Sequence, residues 1–80
     1  MKGIIMLFNK ELDVRGMNCP IPILQSKKAI GQIATGQVLK VVATDPGSVK
    51  DMQAFANQTG NELLGSGEAS GVYTYFLRKA

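Results

Sequence analysis

The pattern of apolar and polar positions divides the chain into four strand-like and two helix-like stretches. Residues 7–14 read as a first strand, broken by Gly16. A helical stretch then runs to about Ala34, with Ile23, Ile30, Ile33 and Ala34 on one face and Gln25, Lys28 and Gln32 turned away. Pro22 suits the first turn of that helix, where its missing N–H would have had no partner, and Gly36 follows as a stop. Residues 38–44 (VLKVVAT) are the clearest strand, pointing Leu39, Val41 and Ala43 one way and Lys40 and Thr44 the other. Asp45-Pro46-Gly47 is a turn. Ser48 is expected to cap a second helix, with Asp51 as its capping-box partner and Gly60 as its end. Val49, Met52, Phe55, Ala56 and Thr59 form the expected inward stripe. Residues 61–64 begin a third strand, and residues 65–71 (GSGEASG) read as a glycine-rich reversal. The last strand, residues 72–78, sets Tyr73, Tyr75 and Leu77 on one side.

The order is βαβαββ. Strands separated by helices favour parallel crossovers, and the final pair favours a hairpin. The expected fold is a two-layer α/β (α+β) sandwich: a small mixed four-stranded sheet with two helices on one face. Eighty residues make one domain, 1–80. The apolar run Ile4-Ile5-Met6-Leu7-Phe8 is too short for a signal-peptide core or a membrane span. It is expected to lead into the first strand, with residues 1–6 either loose or clamped over the core.

Composition narrows the chemistry. Nine basic residues against six acidic ones leave +3, scattered without a run of like charge, which argues against direct nucleic-acid binding. With no histidine and one cysteine, neither a Cys/His zinc site nor a Cys–His catalytic pair can be built from this chain. A single cysteine forms no internal disulfide, so a reducing, cytoplasmic setting is the natural expectation. The glycine-rich residues 65–71 lack the spacing of a phosphate-binding loop and the Lys-Ser/Thr that follows one. No cofactor or metal is expected.

Cys19 is the candidate reactive group. It stands between a strand end and a helix start, flanked by Pro20 and Pro22, which restrict the backbone and present the sulfur. Unpaired N–H groups and the helix dipole there would favour an anion, and thiols so placed can fall from about 8.5 to about 3.5–7.5. Lys27 and Lys28 lie about 9–10 Å up the helix axis from Ile21, where they supply positive field rather than contact. Asp13 and Asp45 are expected at strand ends near the cysteine, although turn chemistry alone accounts for aspartates there.

The stretch Leu12-Asp13-Val14-Arg15-Gly16-Met17-Asn18-Cys19-Pro20-Ile21-Pro22 resembles the signature of the TusA-type (SirA-like) sulfur-carrier family, which reads Leu-Asp, then Gly, then Cys-Pro-x-Pro ahead of a basic helix. Lys27-Lys28, Asp45-Pro46 and Phe76-Leu77-Arg78-Lys79 match further family features, so the resemblance covers nearly the whole chain. It implies a sulfurtransferase that works as a carrier, with little turnover alone. Cys19 would accept persulfide sulfur from a cysteine desulfurase or similar donor and deliver it to an acceptor protein. Asp13, Lys27, Lys28 and Asp45 would orient partners or tune the site. Ile21, Asn18 and Thr44 stand where the tRNA-thiolation members often carry Glu, Arg and Asp. The resemblance therefore carries the sulfur-carrier class and leaves tRNA wobble-uridine 2-thiolation, sulfur oxidation and cofactor supply open as pathways. The competing reading is a non-catalytic RNA-binding or regulatory module with a structural cysteine, since a related two-layer fold serves translation initiation. The unbound chain is expected to be a monomer.

Overall fold

The computed structural model describes residues 7–80 and contains β1 (Lys10–Val14), α1 (Ile21–Ile30), β2 (Val38–Ala43), α2 (Ser48–Thr59), β3 (Glu62–Ala69) and β4 (Val72–Arg78). The strands form one sheet in the order β1-β2-β4-β3. β1 runs parallel to β2, with Leu12 opposite Val41 and Val14 opposite Ala43. β4 is antiparallel to both β2 and β3. The expected mixed sheet is therefore present, and β4 lies between β2 and β3. β1 begins at Lys10 rather than at Leu7, and the expected clamp over residues 1–6 lies outside the described residues.

Both helices cover the same face of the sheet. Val14, Leu39, Val41, Ala43, Tyr75 and Leu77 from the strands meet Ala29 and Ile30 of α1 and Met52, Phe55 and Ala56 of α2 in one core. Full burial of a side chain such as Leu39, Val41 or Leu77 contributes about 1.5–3 kcal/mol. The opposite face carries Lys40, whose Nζ lies 3.9 Å from Glu11 and 5.2 Å from the centre of the Phe8 ring. Val42 on that face is buried, and Lys40, Thr74 and Phe76 are partly exposed.

Each helix buries positions at the spacing i, i+4, i+7, i+8, and in both cases a serine occupies one of them. On α1 these are Pro22, Ser26, Ala29 and Ile30; on α2 they are Ser48, Met52, Phe55 and Ala56. This corrects the expected stripes. α1 ends at Ile30 with Gly31 as its C-cap, so Ile33 is buried from outside the helix and Ala34 is exposed. Val49 is half exposed and Thr59 is exposed, the latter bonding the Phe55 carbonyl through its hydroxyl. Ser26 lies against Met52 with Oγ 3.9 Å from the sulfur, and its small side chain lets the two helices approach. Ser48 does not cap α2. It is the first helical residue, Gly47 holds the cap position, and the Ser48 hydroxyl shares a 2.6 Å hydrogen bond with the Tyr75 hydroxyl inside the core.

The glycine-rich residues 65–71 are mostly strand. Gly65, Ser66 and Gly67 pair with Phe76, Tyr75 and Thr74, with an irregularity in register between Leu63 and Gly65. Only Ser70 and Gly71 form the reversal, both at positive φ (53° and 80°), as a two-residue type I′ hairpin requires. Glu68 Oε2 accepts the Gly71 N–H at 2.7 Å and closes the turn.

The Ser48–Tyr75 pair gives a direct test of the core. Tyr75→Phe and Ser48→Ala should each lower the unfolding free energy by about 1 kcal/mol, a fall in Tm of about 4–8 °C for a domain of this size. The double variant should lose less than the sum of the singles in urea titration. A fully additive loss would show that the two hydroxyls do not act as a pair.

Candidate functional site

The parallel pairing of β1 with β2 brings the C-terminal ends of both strands to one edge of the sheet, and both helices start there. The loop after β1 carries Cys19, and the loop after β2 is anchored to it at two consecutive residues. Thr44 Oγ1 accepts the Gly16 N–H at 2.8 Å, and Asp45 Oδ2 accepts the Cys19 N–H at 3.0 Å. Gly16, at φ +81°, takes the left-handed turn that a side-chain-bearing residue would resist. Asp45 also builds the start of α2: its Oδ1 accepts the Gly47 N–H at 3.1 Å, and its carbonyl accepts the Ser48 N–H at 2.9 Å.

Cys19 is exposed and immediately precedes Pro20, the N-cap of α1. The peptide between them is cis. Pro22 lies in the first turn of α1 and is buried, so it roots the exposed motif in the core. Met17, Ile21 and Leu24 are exposed apolar residues on either side of the cysteine.

Most of the expected N–H groups around the cysteine are not available. The Cys19 N–H is spent on Asp45 and the Ile21 N–H on the Asn18 carbonyl at 2.9 Å, while Pro20 and Pro22 have none. No backbone donor of residues 19–22 is left for an anionic sulfur. Two carboxylates stand close instead. The Cys19 thiol is pushed up from its ordinary value, first by the hydrogen-bonding influence of the Asp51 carboxylate, then by desolvation, and further by the charges of Asp51 and Asp45. The lowered value expected from a helix mouth is thus reversed.

The other expected site residues fall apart from the sulfur to differing degrees. Asp13 binds Arg15, through Oδ2 to Nη2 at 2.8 Å and through Oδ1 to Nε and to the backbone N–H. That pairing holds its carboxyl at about 2 and spends it on a local turn, the ordinary use of an aspartate in a loop. Lys27 and Lys28 are exposed in the last turn of α1, where their charges favour the carbonyl end of the helix dipole. Asp45 alone of the expected acids meets the cysteine. Asp51 is expected as a capping residue, yet α2 has no side-chain cap, and its carboxylate instead contributes to raising the Cys19 thiol. Its place three residues after Ser48 imitates a capping box, and nothing in the local pattern points across to the other loop. Tyr75 is buried, which removes it from any base-stacking surface.

Among the described residues no group of acids and cysteine could hold a metal ion, and no helix is long and apolar enough to cross a membrane. A groove of about 480 Å³ between α2 and the β3–β4 hairpin is lined by Val49, Gln53, Leu63 and Tyr75 among others, and Cys19 is not part of it.

Comparison with known proteins agrees with this architecture. The family model described as sulfurtransferase TusA matches residues 10–79. The chain is 55% identical over 73 residues to the sulfur carrier protein TusA of Allochromatium vinosum, covering 91% of this chain and 96% of that one. It is 42% identical over 74 residues to the sulfur carrier protein TusA of Pseudomonas entomophila, covering 92% of each. The crystal structure of a SirA-like protein from Desulfitobacterium hafniense superposes with a TM-score of 0.78 at 25% identity, over 88% of this chain and 96% of that one. The matched segment contains the whole sheet, both helices and the cysteine loop, and on that ground the chain belongs to the TusA sulfurtransferase family.

Proposed function

We propose that this protein is a sulfur-relay carrier that holds sulfane sulfur as a persulfide on Cys19 and passes it from a donor protein to an acceptor protein. The observation that carries the reading is an exposed lone cysteine on a proline-braced loop at the start of α1. Relatives of high identity are named sulfur carriers, which supports the same class.

The chemistry needs no cofactor. With a donor persulfide R–S–SH, the Cys19 sulfur attacks the outer sulfur, a new S–S bond forms on Cys19 and the donor S–S bond breaks. The products are Cys19–S–SH and R–SH, and the proton leaving Cys19 ends on the donor sulfur. Delivery is the same exchange with an acceptor thiolate as attacker and Cys19 as leaving group. The chain offers no histidine as base, so proton removal falls to the docked partner. That is why turnover appears only between a donor and an acceptor.

A cysteine desulfurase is the donor class that fits, and tRNA wobble-uridine 2-thiolation is one outlet among several. Exposed apolar residues on both sides of Cys19 suit docking to a protein rather than to RNA. A reducing cytoplasm keeps the thiol available, and one copy of the chain presents the complete loop.

Two outcomes check this reading. Cys19→Ser should fold with unchanged stability and gain no sulfur atom by intact mass after incubation with desulfurase and cysteine, because a hydroxyl forms no persulfide. Sulfur gain by the serine variant would misplace the site. Replacing Lys27 and Lys28 together with Glu should slow donor-to-carrier transfer several-fold at low salt. The loss in stability should stay near about 1 kcal/mol from the helix terminus. Equal transfer rates at low salt would reduce both lysines to a role in the helix alone.

A further inference from the structure

The two edges of the sheet differ. β1 is five residues long and begins with Lys10, a short edge that carries a charge. β3 is eight residues long and has neither a proline nor a basic residue, the devices that ordinarily keep an edge strand from pairing. Its irregularity lies between Leu63 and Gly65, so residues 65–69 run in regular register along β4 up to the hairpin turn. Among the described residues β4 is its only strand neighbour, and β3 makes no backbone bond outside that ladder. The N–H and C=O groups on its outer side are left without backbone partners. Small residues keep that backbone uncovered: a Cβ on Gly67 would meet no atom within 4 Å.

A hollow follows the same strand. The groove of about 480 Å³ between α2 and the hairpin has exposed Val49 and Ala54 on its helix side and buried Tyr75 beneath. A smaller hollow of about 170 Å³ adjoins it at Val49, Ser66 and Tyr75 and extends to Glu68 and Tyr73.

We propose that this edge and groove dock an extended segment of a partner protein, which adds a strand antiparallel to β3. Its backbone takes up the free N–H and C=O groups, and its alternate side chains enter the groove. Charge decides what that segment carries. Glu62 and Glu68 are the only charges on β3; Glu62 pairs with Arg78, while Glu68 has no cation among the described residues. Opposite charges across a strand pair stabilise it and like charges destabilise it. The segment therefore has a basic residue facing Glu68, followed at alternate positions by apolar residues that meet Val49 and Tyr75. A second copy would bring one acidic β3 against another, and a nucleic-acid backbone would meet the same carboxylates. Val14 lies opposite Ala43, Ala43 opposite Tyr73, and Tyr73 opposite Glu68. The Glu68 end of the groove is thus at the sheet edge from which the Cys19 loop leaves. That a docked partner is held within reach of the sulfur rests on the carrier reading; the docking does not.

The test is an NMR titration of isotopically labelled protein with the blocked peptide Arg-Thr-Val-Thr-Val-Thr. Amide signals of residues 65–69, Val49 and Gln53 should shift saturably, and the outward amides of β3 should exchange their hydrogens more slowly. Ala54→Tyr, which fills the groove from an exposed position, should abolish the shifts, with circular dichroism to confirm folding. Should it not fold, Asn57→Tyr takes its place with the same expectation. Glu68→Gln keeps an oxygen for the Gly71 N–H and should weaken binding by up to about fivefold at low salt. The absence of shifts at peptide concentrations on the order of 1 mM would overturn the proposal. So would shifts centred on Met17, Ile21 and Leu24, or affinity unchanged in a folded groove-filling variant. Equal affinity of Glu68→Gln would overturn the choice of a basic segment. A dimer with β3 protected before any peptide is added would assign the groove to a second copy instead. Failure of sulfur loading would defeat the carrier reading and leave the peptide result standing.

Discussion

One carboxylate joins the two halves of the site. Asp45 lies in the loop between β2 and α2 and binds in two directions, to the Cys19 N–H on one side and to the Gly47 N–H at the start of α2 on the other. Hydrogen bonds to an ionised acceptor are about twice as strong as neutral ones, so a single residue can hold a short loop in place. The arrangement is possible only because β1 and β2 are parallel neighbours, which brings both outgoing loops to the same sheet edge. The alternation of Leu39, Val41 and Ala43 into the core fixes that pairing, since a slip of one residue would turn the three of them to the opposite face. Core packing, strand register and the position of the cysteine are thus successive consequences of one hydrophobic pattern.

Much of the fold was legible from that pattern, and several of its failures lie where a partner element decides burial. β2 and β4 appeared as expected because their inward residues are large and apolar. Both helices are legible, but α1 stops short of Ile33 and Ala34, Val49 and Thr59 lie outside the buried face of α2, and the serine at a core position of each helix is missed. Ser26 is buried to let α1 and α2 approach, and Ser48 because Tyr75 offers its hydroxyl a partner. A hydropathy pattern cannot register either reason, since both lie in the partner element. β3 was cut short for a similar reason. Gly65, Ser66 and Gly67 have poor strand propensity, and pairing with β4 holds them extended.

At the site, the cysteine was readable from its local sequence and its electrostatics were not. The Cys-Pro-x-Pro run predicts an exposed sulfur at a helix start, and a helix start ordinarily favours an anion. Here the prolines that present the sulfur also remove the N–H groups that would stabilise it, and the two acids contributed by the β2–α2 segment reverse the local field. The second effect depends on residues about thirty positions apart meeting through the parallel pairing of β1 and β2. For a carrier this polarity makes physical sense. A sulfur that must survive transit between proteins is better kept quiet until a partner takes its proton than left activated in solution.

The most direct measurement is the stoichiometry of sulfur on the wild-type protein. The chain is incubated with a cysteine desulfurase and cysteine, separated from both, and assayed for sulfane sulfur before and after an acceptor thiol is added. The carrier mechanism predicts at most one stable sulfane sulfur per chain, discharged completely by the acceptor and not regenerated until a donor returns. Continuous turnover of a small-molecule substrate by the isolated protein, with no acceptor present, would contradict it.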